Sequence, residues 1–375
     1  MNIDTLAVHL GREIEPHTGA VTPSITLATT FQRAPDGTFP DGKDVYTRAS
    51  NPNRNALERT VATLEGGSTG IAFGSGMAAA NALLMALSSG DHIVLPDDLY
   101  HGVRYAAQDV FARWGLQASF VDMTDANNIA NALRPNTKLV WVETPSNPLL
   151  KITDIRRAAE LAHQAGALCV CDNTWATPIL CRPLELGCDL VWHSTTKYFG
   201  GHSDVLGGII VAGDANNELV TRVRQNQMLG GGVPSPFDCW LISRSMPTLP
   251  HRVRIATATA TKIAHFLADH PKVSAVHYPA LTSHPGHAIA KSQMSDWGAM
   301  LAFELKGGRD AALAMTGKIK VFTNATSLGG VESLLEHRAS GEGPVTRTPS
   351  SLLRVSIGLE NVDDLIADLD QALNP

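Results

Sequence analysis

Between about residue 60 and residue 212, short apolar runs alternate with longer stretches whose apolar positions recur at helical spacing. The runs are TGIAF (69–73), DHIVLP (91–96), ASFVDM (118–123), TKLVWVE (137–143), ALCVCD (167–172) and CDLVWHS (188–194). Between them lie GMAAANALLMALSS (76–89), HGVRYAAQDVFARW (101–114) and DIRRAAELAHQAG (154–166). This alternation predicts parallel strands joined by crossover helices, with both faces of the sheet covered. Strands of such sheets end at a crevice where ligands bind, which draws attention to the residues just after each run. They are Gly74 to Gly76, Asp97 and Tyr100, Thr144 to Asn147, Asp172 to Thr174, and Ser194 to Lys197.

The flanks have a different texture. Residues 1–50 are rich in Pro, Gly and Thr, show no period, and predict an arm that packs on another surface. Beyond about residue 246 a long helix candidate, RVRIATATATKIAHFLADH (252–270), precedes strand-like pieces that include MLAFELKGG (300–308) and LLRVSIGLE (352–360). The chain therefore divides into an arm (1–50), an α/β domain with a mainly parallel sheet (51–245) and a smaller C-terminal α+β domain (246–375). The His-rich run HPKVSAVHYPALTSHPGH (270–287) is irregular and full of proline, and reads as loop.

Composition narrows the partners. With 30 basic and 36 acidic side chains the net charge is −6, and no Lys/Arg-rich block offers a footprint for nucleic acid or an anionic membrane. Small metabolites fit better. The first twenty residues carry charge every few positions, and nowhere do about 18 apolar residues run together, so the expected location is the cytoplasm. The five cysteines form no C-x-x-C pair. Cys169, Cys171, Cys181 and Cys188 with His193 could be drawn as a metal site, but they read as buried reduced thiols and no metal is expected.

Lys197 carries the chemistry. It sits in HSTTKYFGGHSD (193–204), among hydroxyl side chains and just ahead of two glycines. A free lysine amine is neutral in only about one molecule in 2,500 at pH 7, which makes it a poor nucleophile. An imine to an aldehyde cofactor removes that obstacle, and lysine forms one where arginine cannot. Asp172 ends a run too apolar to host a carboxylate without a partner, and a pyridinium nitrogen would be that partner. The turn GSGMAA supplies a phosphate cradle, with the N–H groups of Gly76 and Met77 at a helix start and the hydroxyls of Ser194 and Thr196 beside them. Tyr100 reads either as a ring that can stack on a cofactor or as a packing tyrosine. Arg354, inside a strand-like segment, needs a bidentate partner, either an amino-acid carboxylate or a structural carboxylate.

Together these residues resemble the Cys/Met-metabolism family of pyridoxal-phosphate enzymes, whose members include the cystathionine γ-synthases, γ-lyases and β-lyases and the methionine γ-lyases. The likeness runs through YTRASNPN (46–53), LEGG (64–67), SGMAA (75–79), ETPSNP (143–148), CDNTWATP (171–178), HSTTKYFGGHSDVLGG (193–208), SPFDCWLISR (235–244), SLGGVESL (327–334) and LLRVSIGLE (352–360). It implies an α/β, aspartate-aminotransferase-like fold (fold type I), pyridoxal 5′-phosphate as cofactor, and a homotetramer made of two dimers. It implies catalytic roles for Lys197, as imine lysine and proton shuttle, and for Tyr100, with Asp172 on the ring nitrogen. Gly76, Met77, Ser194 and Thr196 would hold the phosphate, and Tyr46 and Arg48 would reach the phosphate of the neighbouring subunit. Asn147, Ser327 and Arg354 would surround the cofactor O3′ and the substrate carboxylate.

The resemblance implies a γ-type trans-sulfuration enzyme, a cystathionine γ-synthase or γ-lyase acting on a homoserine ester or a sulfur amino acid. Elimination at the β-carbon is the runner-up. A pyridoxal-phosphate-binding protein without turnover is a third reading, and a nicotinamide enzyme lacks the G-x-G-x-x-G spacing. At the distal end the chain departs from the family. Thr326 precedes Ser327, where γ-enzymes commonly have glutamate. His101 and Gly102 follow Tyr100, unlike the methionine γ-lyases, and Arg104 stands four residues after the tyrosine instead of five. EHRASGEGPVTRTPSS (336–351) replaces a usual Met-Thr-His stretch and reads as a solvated loop, with Glu342 and Arg347 as the alternative lining of an entrance.

Overall fold

A computed structural model describes residues 1–39, 44–342 and 346–374. Parts of the arm (40–43), of the 336–351 stretch (343–345) and the last residue lie outside the described residues. Seven strands build the larger sheet: β1 (Thr69–Phe73), β2 (His92–Pro96), β3 (Gln117–Val121), β4 (Thr137–Glu143), β5 (Leu168–Asp172), β6 (Leu190–His193) and β7 (Gly208–Ala212). Their order is β1-β7-β6-β5-β4-β2-β3. The six expected runs are all strands, and β2, β3, β4, β5 and β6 pair in parallel. The added strand β7 is antiparallel to both β1 and β6. Its reversal follows from its connection, since residues 194–207 contain no helix and a parallel return needs a crossover, usually a helix. All strands but β7 therefore run the same way, and their carboxyl ends share one edge.

A smaller antiparallel sheet follows, from β8 (Val273–His277), β9 (Met300–Leu305), β10 (Leu334–His337) and β11 (Leu352–Ser356), in the order β10-β11-β9-β8. Two expectations are corrected here. The His-rich run is not all loop, because Val273 to His277 pair with β9 and His277 Nε2 lies 2.9 Å from Glu304 Oε1. The 336–351 stretch is not a solvated loop at its start. Glu336 and His337 complete β10, and Arg338–Glu342 form a short helix with Arg338 buried. The arm also holds a helix that its composition hid, Ile3–His9, capped by Asn2. The long C-terminal helix spans Leu249–Asp269 and lays Val253, Ala256, Ala260, Ile263 and Leu267 in the core.

Two local features fix the crevice. Helix Pro52–Glu65 ends at Gly66 in the left-handed region, and there Glu65 pairs with His193 Nε2 at 2.6 Å and accepts Asn173 Nδ2 at 2.8 Å. Glu65 and His193 are wholly buried, so this node ties the ends of β5 and β6 to the helix layer. Gly208 opens β7 directly under the turn after β1, where a Cβ would come within 2.4 Å of the Ser75 carbonyl. Only glycine lets those two backbones approach.

Candidate active site

At the carboxyl edge of the larger sheet, facing the smaller one, lies a cavity of about 660 Å³. Its walls contain Gly76, Met77, Tyr100, Asn147, Asp172, Ser194, Thr196, Lys197, Ser327 and Arg354, ten of the candidate residues, and also Thr326. Tyr46 and Arg48 line no part of it. Tyr46 is 43 % exposed, forms a bridge with Thr30, and carries the Arg48 guanidinium over its ring at 5.4 Å.

One end is suited to an anion. Ser75 caps helix Gly76–Leu84, its Oγ accepting the Ala78 N–H, which leaves the N–H groups of Gly76 and Met77 without an intrahelical acceptor. A Cβ on Gly76 would stand 3.0 Å from Trp192 and 3.1 Å from Ser194, so this position is kept small by its neighbours. The Trp192 indole donates to the Gly76 carbonyl at 3.2 Å and steadies the turn. Opposite it, the Thr196 hydroxyl accepts the Gly207 N–H, and Thr174 Oγ1 accepts the Ser194 N–H.

At the centre Asp172 Oδ1 accepts the Thr174 N–H at 2.9 Å, while Oδ2 makes no hydrogen bond among the described residues. Burial pushes this carboxyl above the usual range, against the pull of the Thr174 hydrogen bonds. Such a group calls for a cationic partner. Glu143 faces Asp172 across the β4–β5 register and accepts the Tyr100 N–H at 2.8 Å. Burial, then the Asp172 charge, push the Glu143 carboxyl well above its usual range. In the sequence Glu143 stands out only as part of the ETPSNP motif; its place as the last residue of an apolar run, matching Asp172, is the signal that points to it.

Lys197 Nζ donates to Ser327 Oγ at 2.9 Å. Burial pulls its pKa down to about 8, and the guanidiniums of Arg354 and Arg338 act in the same direction. Ser327 stands in the left-handed region at φ 96, an outlier for a residue with a side chain. It is held from both sides, by Lys197 at its hydroxyl and by Arg354 NH2, which donates to its carbonyl at 3.1 Å. Arg354 is 4 % exposed, donates from NH1 to Asn147 Oδ1 at 3.0 Å, and forms an ion pair with Glu336.

His101 also lines the cavity, as do Glu336 and Arg338, which escape sequence reasoning because the β10–β11 register that places Glu336 opposite Arg354 cannot be read from an aperiodic stretch. Arg104 is absent from the cavity. Its NH2 donates to the Asp97 carbonyl, and its guanidinium lies 4.3 Å from the Phe120 ring centroid. It borders a separate cavity of about 370 Å³ with Arg347 and Glu342. The residues that do converge fit pyridoxal 5′-phosphate: Asp172 Oδ2 would take a ring N–H⁺, the open N–H groups of Gly76 and Met77 would take a phosphate at a turn that Trp192 and Ser194 keep small, and Lys197 supplies an amine of lowered basicity.

Comparison with known proteins follows the same lines. The family model described as "Cys/Met metabolism PLP-dependent enzyme" matches residues 4–374. The cystathionine gamma-synthase of Mycobacterium tuberculosis is 46% identical over 375 residues, covering 98% of this chain and 96% of that protein. The cystathionine beta-lyase of Coxiella burnetii is 43% identical over 381 residues, covering 99% and 98%. The crystal structure of metB from Corynebacterium glutamicum superposes with a TM-score of 0.96 at 43% identity, covering 100% of this chain and 98% of that one.

Proposed function

Because the chain belongs to the Cys/Met-metabolism PLP-dependent enzymes, with pyridoxal 5′-phosphate as cofactor, we propose that it is a trans-sulfuration enzyme acting at the γ-carbon of its substrate. The reaction is γ-replacement on an O-activated homoserine by cysteine, or γ-elimination from cystathionine. The observation that carries this reading is the 46% identity to a cystathionine gamma-synthase along almost the full length of both chains.

When bound, the cofactor supplies an electron sink that acidifies the α-proton of an amino acid. The protein does the rest. Asp172 would keep a proton on the ring nitrogen through its open oxygen, and the turn at Gly76 and Met77 with Ser194 and Thr196 would hold the phosphate. Tyr100, its backbone fixed by Glu143, would stack on the ring. Arg354, steadied by Asn147 and the Ser327 carbonyl, takes the substrate α-carboxylate, and Asn147 and Ser327 flank it. Lys197 moves the proton from Cα, and for γ-chemistry a second proton at Cβ. With a pKa of about 8 its amine is neutral in about one molecule in eleven at pH 7, against about one in 2,500 for an ordinary lysine.

We read residues 1–50 as an arm reaching a neighbouring subunit, where Tyr46 and Arg48 meet the phosphate, within a homotetramer of two dimers. Exposed Val21 and Leu27 on the arm support that reading. The cofactor domain is read as 51–245 and the C-terminal domain as 246–375. No helix among the described residues is long and apolar enough to cross a membrane, and we place the enzyme in the cytoplasm.

The test is an assay of the purified protein with cysteine and O-succinyl- or O-acetylhomoserine, followed by cystathionine alone. Cystathionine formed in the first assay, or 2-oxobutyrate in the second, supports γ-chemistry. Pyruvate from cystathionine without either product replaces it with β-elimination.

A further inference from the structure

Beyond Arg354 runs a row of four buried or half-buried charges of alternating sign, Arg354, Glu336, Arg338 and Glu342, of which the first three line the cavity and Glu342 borders the separate one. Glu336 Oε1 is shared. It contacts Arg354 NH2 and accepts from Arg338 NH1 at 3.3 Å. Arg338 in turn donates from Nε to Glu342 Oε1 at 2.9 Å and from NH2 to His101 Nδ1 at 3.0 Å. Glu342 is pinned at its other oxygen by the hydroxyls of Thr346 and Thr348. The charged and titratable groups in contact with or next to Arg338 are thus Glu336, Glu342, Arg354 and His101, whose Nδ1 is an acceptor here, and its charge also reaches Lys197 and Glu143.

This arrangement bears on what Arg354 can still bind. Its NH2 already serves both the Ser327 carbonyl and Glu336, and its NH1 serves Asn147. A substrate carboxylate therefore competes with Glu336 for one guanidinium. We propose that Arg338 is a positioning residue that holds Glu336 between two cations and so keeps Arg354 available for the α-carboxylate. Without the Arg338 cation, Glu336 has one ionic partner left among the described residues, Arg354, and the internal pair tightens at the expense of the substrate. The effect reaches every α-amino acid alike, because it acts on the carboxylate and not on the side chain. The inference rests on the reading that Arg354 takes the α-carboxylate.

Calorimetric binding to the holoenzyme tests it, with L-norleucine, which has no leaving group, and pentylamine, the same chain without the carboxylate. Arg338→Ala is expected to weaken norleucine about tenfold and pentylamine by less than about threefold, within the usual range of coupling between neighbouring sites. For a turned-over substrate KM rises while kcat stays within about threefold, the mark of lost uniform binding. Adding Glu336→Gln to Arg338→Ala removes the competitor and restores norleucine binding. Unchanged norleucine affinity in Arg338→Ala, or a loss that persists in the double variant, overturns the proposal. A loss confined to amino acids with acidic side chains also overturns it, since Arg338 would then be touching the side chain. Where Arg338→Ala does not fold, Arg338→Gln, which still has a donor for Glu342, replaces it. Wild-type enzyme that binds norleucine no better than pentylamine refutes instead the assignment of Arg354, a result separate from either variant.

Discussion

The two ends of the cavity are built on different principles. At the cofactor end, the groups are held by backbone: the last residues of β4 and β5, the first turn of a capped helix, and a loop closed by Thr196 and Gly207. At the distal end they are held by one another, through Arg354, Glu336, Arg338, Glu342 and His101. Strand ends are set by the whole sheet and tolerate little change. A chain of ion pairs can be rewired by one substitution, so the first end is the more constrained of the two and the second the more adjustable.

Removing the amine should give the largest effect and leave that contrast intact. Lys197→Ala is expected to lower turnover at least about a thousandfold, in line with loss of a general base, while the protein still retains cofactor through the phosphate turn. Turnover and cofactor absorbance measure the two parts. Colourless protein would show that the cofactor end depends on its lysine for more than chemistry.

The next prediction concerns pH. Lys197 has its pKa lowered, so its amine is neutral above about 8 and protonated below, and in the cofactor-free protein its acylation should rise with a midpoint near 8. An unperturbed lysine in a model peptide has a pKa near 10.4. At pH 7 the neutral fraction differs by about 200-fold, which peptide mapping after brief acetic anhydride treatment can read. A midpoint above about 10 would mean that burial does not depress it.

Asp172→Asn keeps the shape and removes the charge. Loss of one charge-assisted hydrogen bond of about 1.5–3 kcal/mol predicts a fall in kcat of about 10- to 150-fold, measured at saturating substrate. The smallest effect should come from Arg104→Ala. Arg104 lies outside the cofactor cavity, so kcat/KM should change by less than about threefold, and a larger loss would mean that the distal end extends past His101.

Legibility in the sequence follows the same division. Lys197, Asp172, Gly76 and Tyr100 stand just after apolar runs, where local pattern and topology agree, and the structure brings them into one cavity. The antiparallel direction of β7 has no signature in its residues, since strand direction depends on what the intervening loop does in three dimensions. Strand β8 is hidden by its prolines and histidines, because pairing with β9 overrides composition. Arg338 and Glu336 lie in a stretch whose composition suits a solvated loop. Their roles arise from a cross-strand register with Arg354 and from His101, far away in the chain.

The reversal of β7 also decides when the lysine loop becomes ordered. By returning beside β6, the strand makes residues 194–207 the closed tip of a hairpin, with the Thr196 N–H donating to the Gly207 carbonyl at 3.3 Å and both strands locked in the sheet. The conformational entropy of the lysine-bearing segment is then lost when the chain folds, not when the ligand arrives. The cofactor meets a preorganised amine, and amide hydrogen exchange in this tip should be nearly as slow before loading as after.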